Sequence, residues 1–149
     1  MFGLQIRYLS FFIALVSILS FFNIIYSYYL NLYLNLDTYY LTFIISLILS
    51  ILFYKIKIPE KRPNIYYKIF TVFLGYILLP LIISLPFYLS VYNLPFIDSF
   101  FEAISGFTST GFTIFENIKH IDQSLILWRS STQWIGGLYF LFSIIFLID

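Results

Sequence analysis

With 61% hydrophobic and 10% charged side chains in 149 residues, the chain departs far from the ~45–50% apolar and ~25% charged usage of soluble domains. It reads as an integral membrane protein in which short charged or proline-bearing segments leave no stretch for a water-soluble domain. A net charge of +1 argues against a nucleic-acid partner, and the absence of cysteine removes disulfides and thiolate metal sites.

The first apolar run covers about 8–30 and follows Arg7. A basic residue ahead of an apolar stretch also begins a signal peptide, but that apolar core has only ~7–15 residues before a small-residue cleavage site. Residues 31–37 contain neither alanine nor glycine, so a retained membrane span is expected. The second span runs over about 36–54, with Asp37 and Lys55 at opposite interfaces, Lys55 snorkelling, and tyrosines at the ends of both spans. Lys55, Lys57, Lys61, Arg62 and Lys68 cluster after it, whereas the loop after the first span has no Lys or Arg. The positive-inside rule places the basic loop in the cytoplasm, and Pro59 and Pro63 keep it from continuing a helix. Two readings of the cluster stay open: it sets orientation only, or it also docks a cytoplasmic regulatory partner.

The third span, about 67–91, contains Pro80 and Pro86, which either bend the helix structurally or shape a pore wall. It runs outward to Pro95. The apolar segment 96–107 that follows is ~18 Å long at 1.5 Å per residue, against a hydrocarbon core of ~30 Å, and cannot cross. Thr108-Ser109-Thr110-Gly111-Phe112-Thr113 comes next, then a polar return with Glu116, Asn117, Lys119, His120 and Asp122. A half-length helix, a hydroxyl-rich strand with one glycine and a polar return fit a re-entrant pore loop, which exists only where protein buries it or it lines a watery cavity. Backbone carbonyls of Thr108, Ser109, Thr110 and Gly111 would replace the hydration shell of a cation, with Gly111 supplying a positive φ. The fourth span, about 124–148, returns inward, so both termini are cytoplasmic. The fold class expected is an all-α membrane protein: four transmembrane helices plus one re-entrant pore helix and filter loop. It divides into a two-helix hairpin with its basic loop (1–66) and a helix–pore loop–helix unit (67–149).

Charged and special residues around the loop have competing explanations. Ser99 and Glu102 match a capping box at the start of the short helix; Glu102 could instead be a carboxylate at the pore mouth that concentrates cations. Arg129 either snorkels to the outer interface or braces the loop through Glu116 or Asp122. Trp128 and Trp134 suit interface and packing positions. Gly136-Gly137 allows close backbone approach or bending, and Phe112 is expected to pack behind the filter. His120 stands alone, without a second nitrogen or sulfur ligand. No nucleophile–base pair, phosphate loop or paired catalytic carboxylates occur, which disfavours an enzyme.

Two blocks, Asp98-Ser-Phe-Phe-Glu-Ala-Ile-Ser-Gly-Phe-Thr-Ser-Thr-Gly-Phe-Thr113 and Leu127-Trp-Arg-Ser-Ser-Thr-Gln-Trp-Ile-Gly-Gly137, resemble in order and spacing the first pore unit of the Trk/Ktr/HKT potassium-uptake superfamily, of the TrkH type. The two earlier helices resemble the extra N-terminal pair of that type. Family members carry four such units and this sequence holds one. The resemblance implies potassium transport without a cofactor, potassium being the substrate, held at Ser109, Thr110 and Gly111. It also implies a bacterial inner-membrane location and a cytoplasmic nucleotide-binding regulatory subunit. The remaining pore units would come from a separate chain or by self-assembly. The alternative is a non-conducting remnant or assembly protein that keeps the fold.

The Lys and Arg asymmetry predicts that Lys61→Cys reacts only with a membrane-permeant thiol reagent and Asn117→Cys with an impermeant one added outside. Labelling of position 61 exclusively from outside would invert the topology.

Overall fold

The computed structural model describes residues 3–56, 64–116 and 121–148. Lys57, Pro59, Lys61, Arg62 and Pro63 of the basic loop, and Asn117, Lys119 and His120 of the polar return, lie outside the described residues. All regular structure among the described residues is helical: α1 (Gly3–Tyr29), α2 (Leu36–Lys55), α3 (Ile65–Ile83), α4 (Leu85–Tyr88), α5 (Phe96–Phe107) and α6 (Gln123–Ile148). Four stretches are long and apolar enough to cross a membrane: Arg7–Tyr29, Leu36–Lys55, Ile65–Tyr88 and Gln123–Ile148. Their outward faces carry exposed Phe21, Ile44, Ile48, Phe73, Phe140 and Ile145. Water would not tolerate so large an apolar surface, whereas lipid does.

In lipid, apolar contact gives helices little reason to associate, so small and hydroxylated residues set the seams. The α1–α2 hairpin shows this. Ser10 Oγ donates to the Ser50 carbonyl (2.9 Å) and Ser50 Oγ to the Ser10 carbonyl (3.0 Å), while Ser20 Oγ donates to the Tyr39 carbonyl (2.8 Å). These pairings run antiparallel along the hairpin. The hairpin reaches the rest of the bundle through Tyr8, whose Oη lies 2.9 Å from Ser143 Oγ, and through Phe12, edge-on to Tyr139. Tyr139 crosses to α3, donating to the Val72 carbonyl (2.9 Å) in the space left by Gly75.

The third span breaks near its C-terminal end. Pro80 lies inside α3, α3 stops at Ile83, and α4 restarts with Pro86 at its second position. Pro86 cannot donate to the Ile82 carbonyl, and its ring crowds the preceding turn. Trp128 Nε1 donates to the Ile83 carbonyl at this break (3.1 Å), so α6 satisfies a backbone group that the interrupted helix leaves open.

At the end of the bundle where α1 turns into α2, Asn35 joins three segments: its Nδ2 donates to Asp122 (3.0 Å) and its Oδ1 accepts from the Val91 amide (3.1 Å). Asp122 also accepts from Ser124 Oγ (2.5 Å), and Ser124 Oγ lies 2.9 Å from Tyr39 Oη. The start of α6 is thereby tied to the hairpin.

The short α5 sits among α3, α4 and α6 and meets α6 at Gly136, where a Cβ would fall 1.8 Å from the Phe107 carbonyl oxygen; a Cβ at Gly137 would meet nothing within 4 Å. Gly136→Ala is therefore expected to destabilise by about 1–3 kcal/mol through overpacking, with Gly137→Ala close to neutral. Thermal unfolding midpoints of the two detergent-solubilised variants check this; equal midpoints would remove Gly136 from the seam.

Candidate functional site

α5 buries Ser99, Glu102, Ala103 and Gly106, one face at i, i+3, i+4 and i+7 spacing. Its first turn corrects the capping expectation. Pro95 occupies the N-cap, and Ser99, already a turn inside, donates back to the Pro95 carbonyl (3.1 Å). Proline at that boundary sets the start of the helix without a side-chain cap, which frees Glu102 for another role. Glu102 is also not at an exposed mouth: it is fully buried.

A buried carboxylate needs charge and hydrogen-bond partners, and Glu102 has both. Its Oε2 accepts from Arg129 Nε (3.0 Å). Its Oε1 accepts from the Ile114 amide (2.7 Å) and from Thr113 Oγ1. Arg129 extends the arrangement, with Nη2 donating to the carbonyls of Gly111 and Phe112 at 3.2 Å each. Arg129 thus contacts the loop, and the carboxylate it pairs with is Glu102 from α5, not Glu116 or Asp122. Asp122 is engaged with Asn35 and Ser124, and Glu116 is exposed.

Between helix and brace lies the predicted filter segment. The Ser109 amide donates to the Gly106 carbonyl (2.9 Å), and the Thr110 and Gly111 amides donate to the Ser105 carbonyl (3.0 and 3.4 Å). The first two bonds form a Schellman-type helix ending in which the residue after the cap turns left-handed; that residue is Ser109, at φ 55°. Gly111 follows at φ 81°. Across a trans peptide the C=O of one residue points opposite to the N–H of the next. Three successive amides turned toward α5 therefore send the carbonyls of Thr108, Ser109 and Thr110 away from it. These three carbonyls accept no hydrogen bond among the described residues, and all three residues are exposed. The next two carbonyls differ: Gly111 O is held by Arg129, and Phe112 O by Arg129 and by Ser105 Oγ (2.6 Å).

Side chains add little to the row. Thr108 Oγ1 caps back to the Ile104 carbonyl (2.8 Å) and lies 2.6 Å from Thr110 Oγ1, and Ser109 Oγ is 3.5 Å from the Gln133 carbonyl. Phe112 departs from expectation, its ring 67% exposed rather than packed behind the loop, because its backbone is turned inward to Ser105 and Arg129. Trp134 is exposed and Trp128 buried. On the other side of Thr108 and Ser109, a cleft of about 280 Å³ is bounded by Tyr76, Phe107, Gly136, Gly137 and Phe140.

The Glu102–Arg129 pairing is the feature that residue-by-residue reading missed. Its signal was present: two opposite charges in otherwise apolar segments must find each other or a watery path.

The sequence profile of TrkH, described as a cation transport protein, matches residues 35–148. An uncharacterised cation transporter of Methanocaldococcus jannaschii is 28% identical over 109 residues, covering 72% of this chain and 23% of the relative. The Trk system potassium uptake protein TrkG of Escherichia coli is 38% identical over 64 residues, 42% of this chain and 13% of TrkG. TrkI of Halomonas elongata, another potassium uptake protein of a Trk system, is 40% identical over 55 residues, 37% of this chain and 11% of TrkI. The chain thus matches less than a quarter of the length of each of these relatives. No solved structure matches it.

Removing one member of a buried ion pair strands the other charge, at about 3–5 kcal/mol. Glu102→Gln and Arg129→Gln are each expected to destabilise on that scale, and the double variant by clearly less than the sum. Denaturant titration of the four proteins checks the coupling; strict additivity would show that the pair contributes no interaction of its own.

Proposed function

This chain belongs to the TrkH family of cation transport proteins, an integral membrane protein and not an enzyme, and from that premise we propose that it contributes one strand of a potassium-selective filter. The observation that carries the reading is the row of outward carbonyls at Thr108, Ser109 and Thr110, which accept no hydrogen bond among the described residues and lie next to the Glu102–Arg129 brace. Dehydrating a potassium ion requires several such dipoles held at fixed spacing. Gly111 enters chiefly through its backbone conformation; its carbonyl, sharing the Arg129 guanidinium, is the weakest of the four ligands. Glu102 and Arg129 support the loop without touching the ion.

In this reading α5 is re-entrant, entering from the outer face, and its C-terminal end, carrying partial negative charge, favours a cation at the loop. Residues 1–66 form a supporting hairpin and 67–149 the pore unit, in a bacterial inner membrane with both termini cytoplasmic. One strand makes one quarter of a ring. Unpartnered carbonyls facing lipid would cost several kcal/mol each, so three further units close the site, whether on the same polypeptide, on a separate chain or on copies of this one. A cytoplasmic nucleotide-binding regulatory subunit would meet the basic loop. The relatives named as potassium uptake proteins of Trk systems favour potassium as the cargo.

The test compares two substitutions in an assembly that conducts. Gly111→Ala places a Cβ at φ 81°, a cost of roughly 1–2 kcal/mol, and re-aims the carbonyls beside it. Ser109 already carries a Cβ at its positive φ, so Ser109→Ala removes only a hydroxyl with one 3.5 Å contact. Potassium-over-sodium permeability, measured at matched membrane abundance, should fall in Gly111→Ala and hold in Ser109→Ala. The reverse result would make hydroxyl groups the filter, and no cation flux from any assembly containing the chain would leave it a non-conducting assembly protein.

A further inference from the structure

At the end of the hairpin opposite Asn35, α1 and α2 enclose a second groove, about 350 Å³ in volume, distant from the filter loop. Its apolar wall is formed by Phe11, Ala14, Ile51 and Tyr54, with Phe11, Ile51 and Tyr54 all more than 40% exposed. Arg7 and Lys55 sit on the same groove, one from each helix. The Arg7 guanidinium lies over the Tyr54 ring, 5.2 Å from its centroid, an arrangement that fixes the cation while leaving its N–H edge available. Among the described residues the only ion pair is Arg129 with Glu102, so neither Arg7 nor Lys55 is neutralised by a described carboxylate.

Two cations on an apolar cleft with an exposed wall match the chemistry of an acyl chain joined to a phosphate. A zwitterionic lipid offers the chain but cancels the phosphate charge, and a soluble phosphate offers the charge without the chain. We propose that this groove is a binding site for an anionic glycerophospholipid, with Arg7 and Lys55 holding the phosphate and an acyl chain lying against Phe11, Ala14 and Ile51. The proposal requires only that the chain is in a membrane and stands apart from the transport reading.

The full chain, purified in detergent, is titrated with dioleoyl phosphatidylglycerol or dioleoyl phosphatidylcholine, and bound lipid is counted by native mass spectrometry. At about fivefold in affinity for each basic side chain near an anionic headgroup, phosphatidylglycerol should be preferred by about thirtyfold. Lys55→Gln should lower that preference to about fivefold, and Lys55→Gln with Arg7→Gln should bring it near parity. Arg7→Lys, which keeps the charge, should retain most of it, separating loss of charge from loss of fold. Glycerol phosphate, carrying the charge without an acyl chain, should not displace the lipid. Equal retention of the two lipids by the unmodified chain, a preference that survives both glutamine substitutions or is lost in Arg7→Lys, or displacement by equimolar glycerol phosphate would each overturn the proposal.

Discussion

The structure around the loop depends on one buried charge pair. A carboxylate placed among apolar side chains within a membrane is tolerated only if it is paired and its remaining lone pairs are filled. Glu102 meets that condition with the guanidinium of Arg129, the Ile114 amide and the Thr113 hydroxyl. Since the amide and hydroxyl belong to the loop and the guanidinium to α6, satisfying the charge fixes three segments relative to one another. The arginine passes the constraint on, because its second nitrogen also grips the Gly111 and Phe112 carbonyls. A lysine could not do this, having a point charge and no planar fork of donors.

Other features of the bundle serve the same segment from behind. The proline-interrupted third span leaves a carbonyl at Ile83 for Trp128, one residue before Arg129, so the break and the brace share a stretch of α6. Gly136, two turns further along, admits the backbone of Phe107 at the end of α5. Asn35 and Asp122 hold the start of α6 to the hairpin. The loop therefore rests on helices whose mutual positions are set by polar contacts and close backbone approach, as expected where lipid offers little apolar driving force.

Much of the architecture was legible in the sequence because it rests on length and hydropathy. Four spans and the half-length helix at 96–107 follow from runs of apolar residues measured against bilayer thickness, and the structure gives α5 the same limits. The positive φ of Gly111 was legible from residue type. The positive φ of Ser109 was not, since it comes from the hydrogen-bonding of the helix ending rather than from any preference of serine. Glu102 was misread for a related reason. Ser-x-x-Glu is a local pattern, and Pro95 had already fixed the helix start one turn earlier, so the local signal described a cap that does not exist. The partner of Arg129 lay 27 residues upstream, and the nearer acids Glu116 and Asp122 drew the assignment because proximity in sequence was the only distance available. The hydroxyl seam of the hairpin was visible as serines at positions 10, 17 and 20 but has meaning only once two helices face each other.

That 27-residue separation also bears on how the protein is made. During synthesis at about 5–20 residues per second, the carboxylate of Glu102 emerges roughly 1–5 s before the guanidinium that neutralises it. Through that interval Glu102 lacks the guanidinium that it is paired with in the folded structure. In the re-entrant reading of α5, the short helix gains its neutralising partner only when α6 arrives. In that reading the order of translation, as well as hydropathy, bears on how this segment is placed, and a pause in the codons between the two residues would lengthen the time that Glu102 spends without its guanidinium.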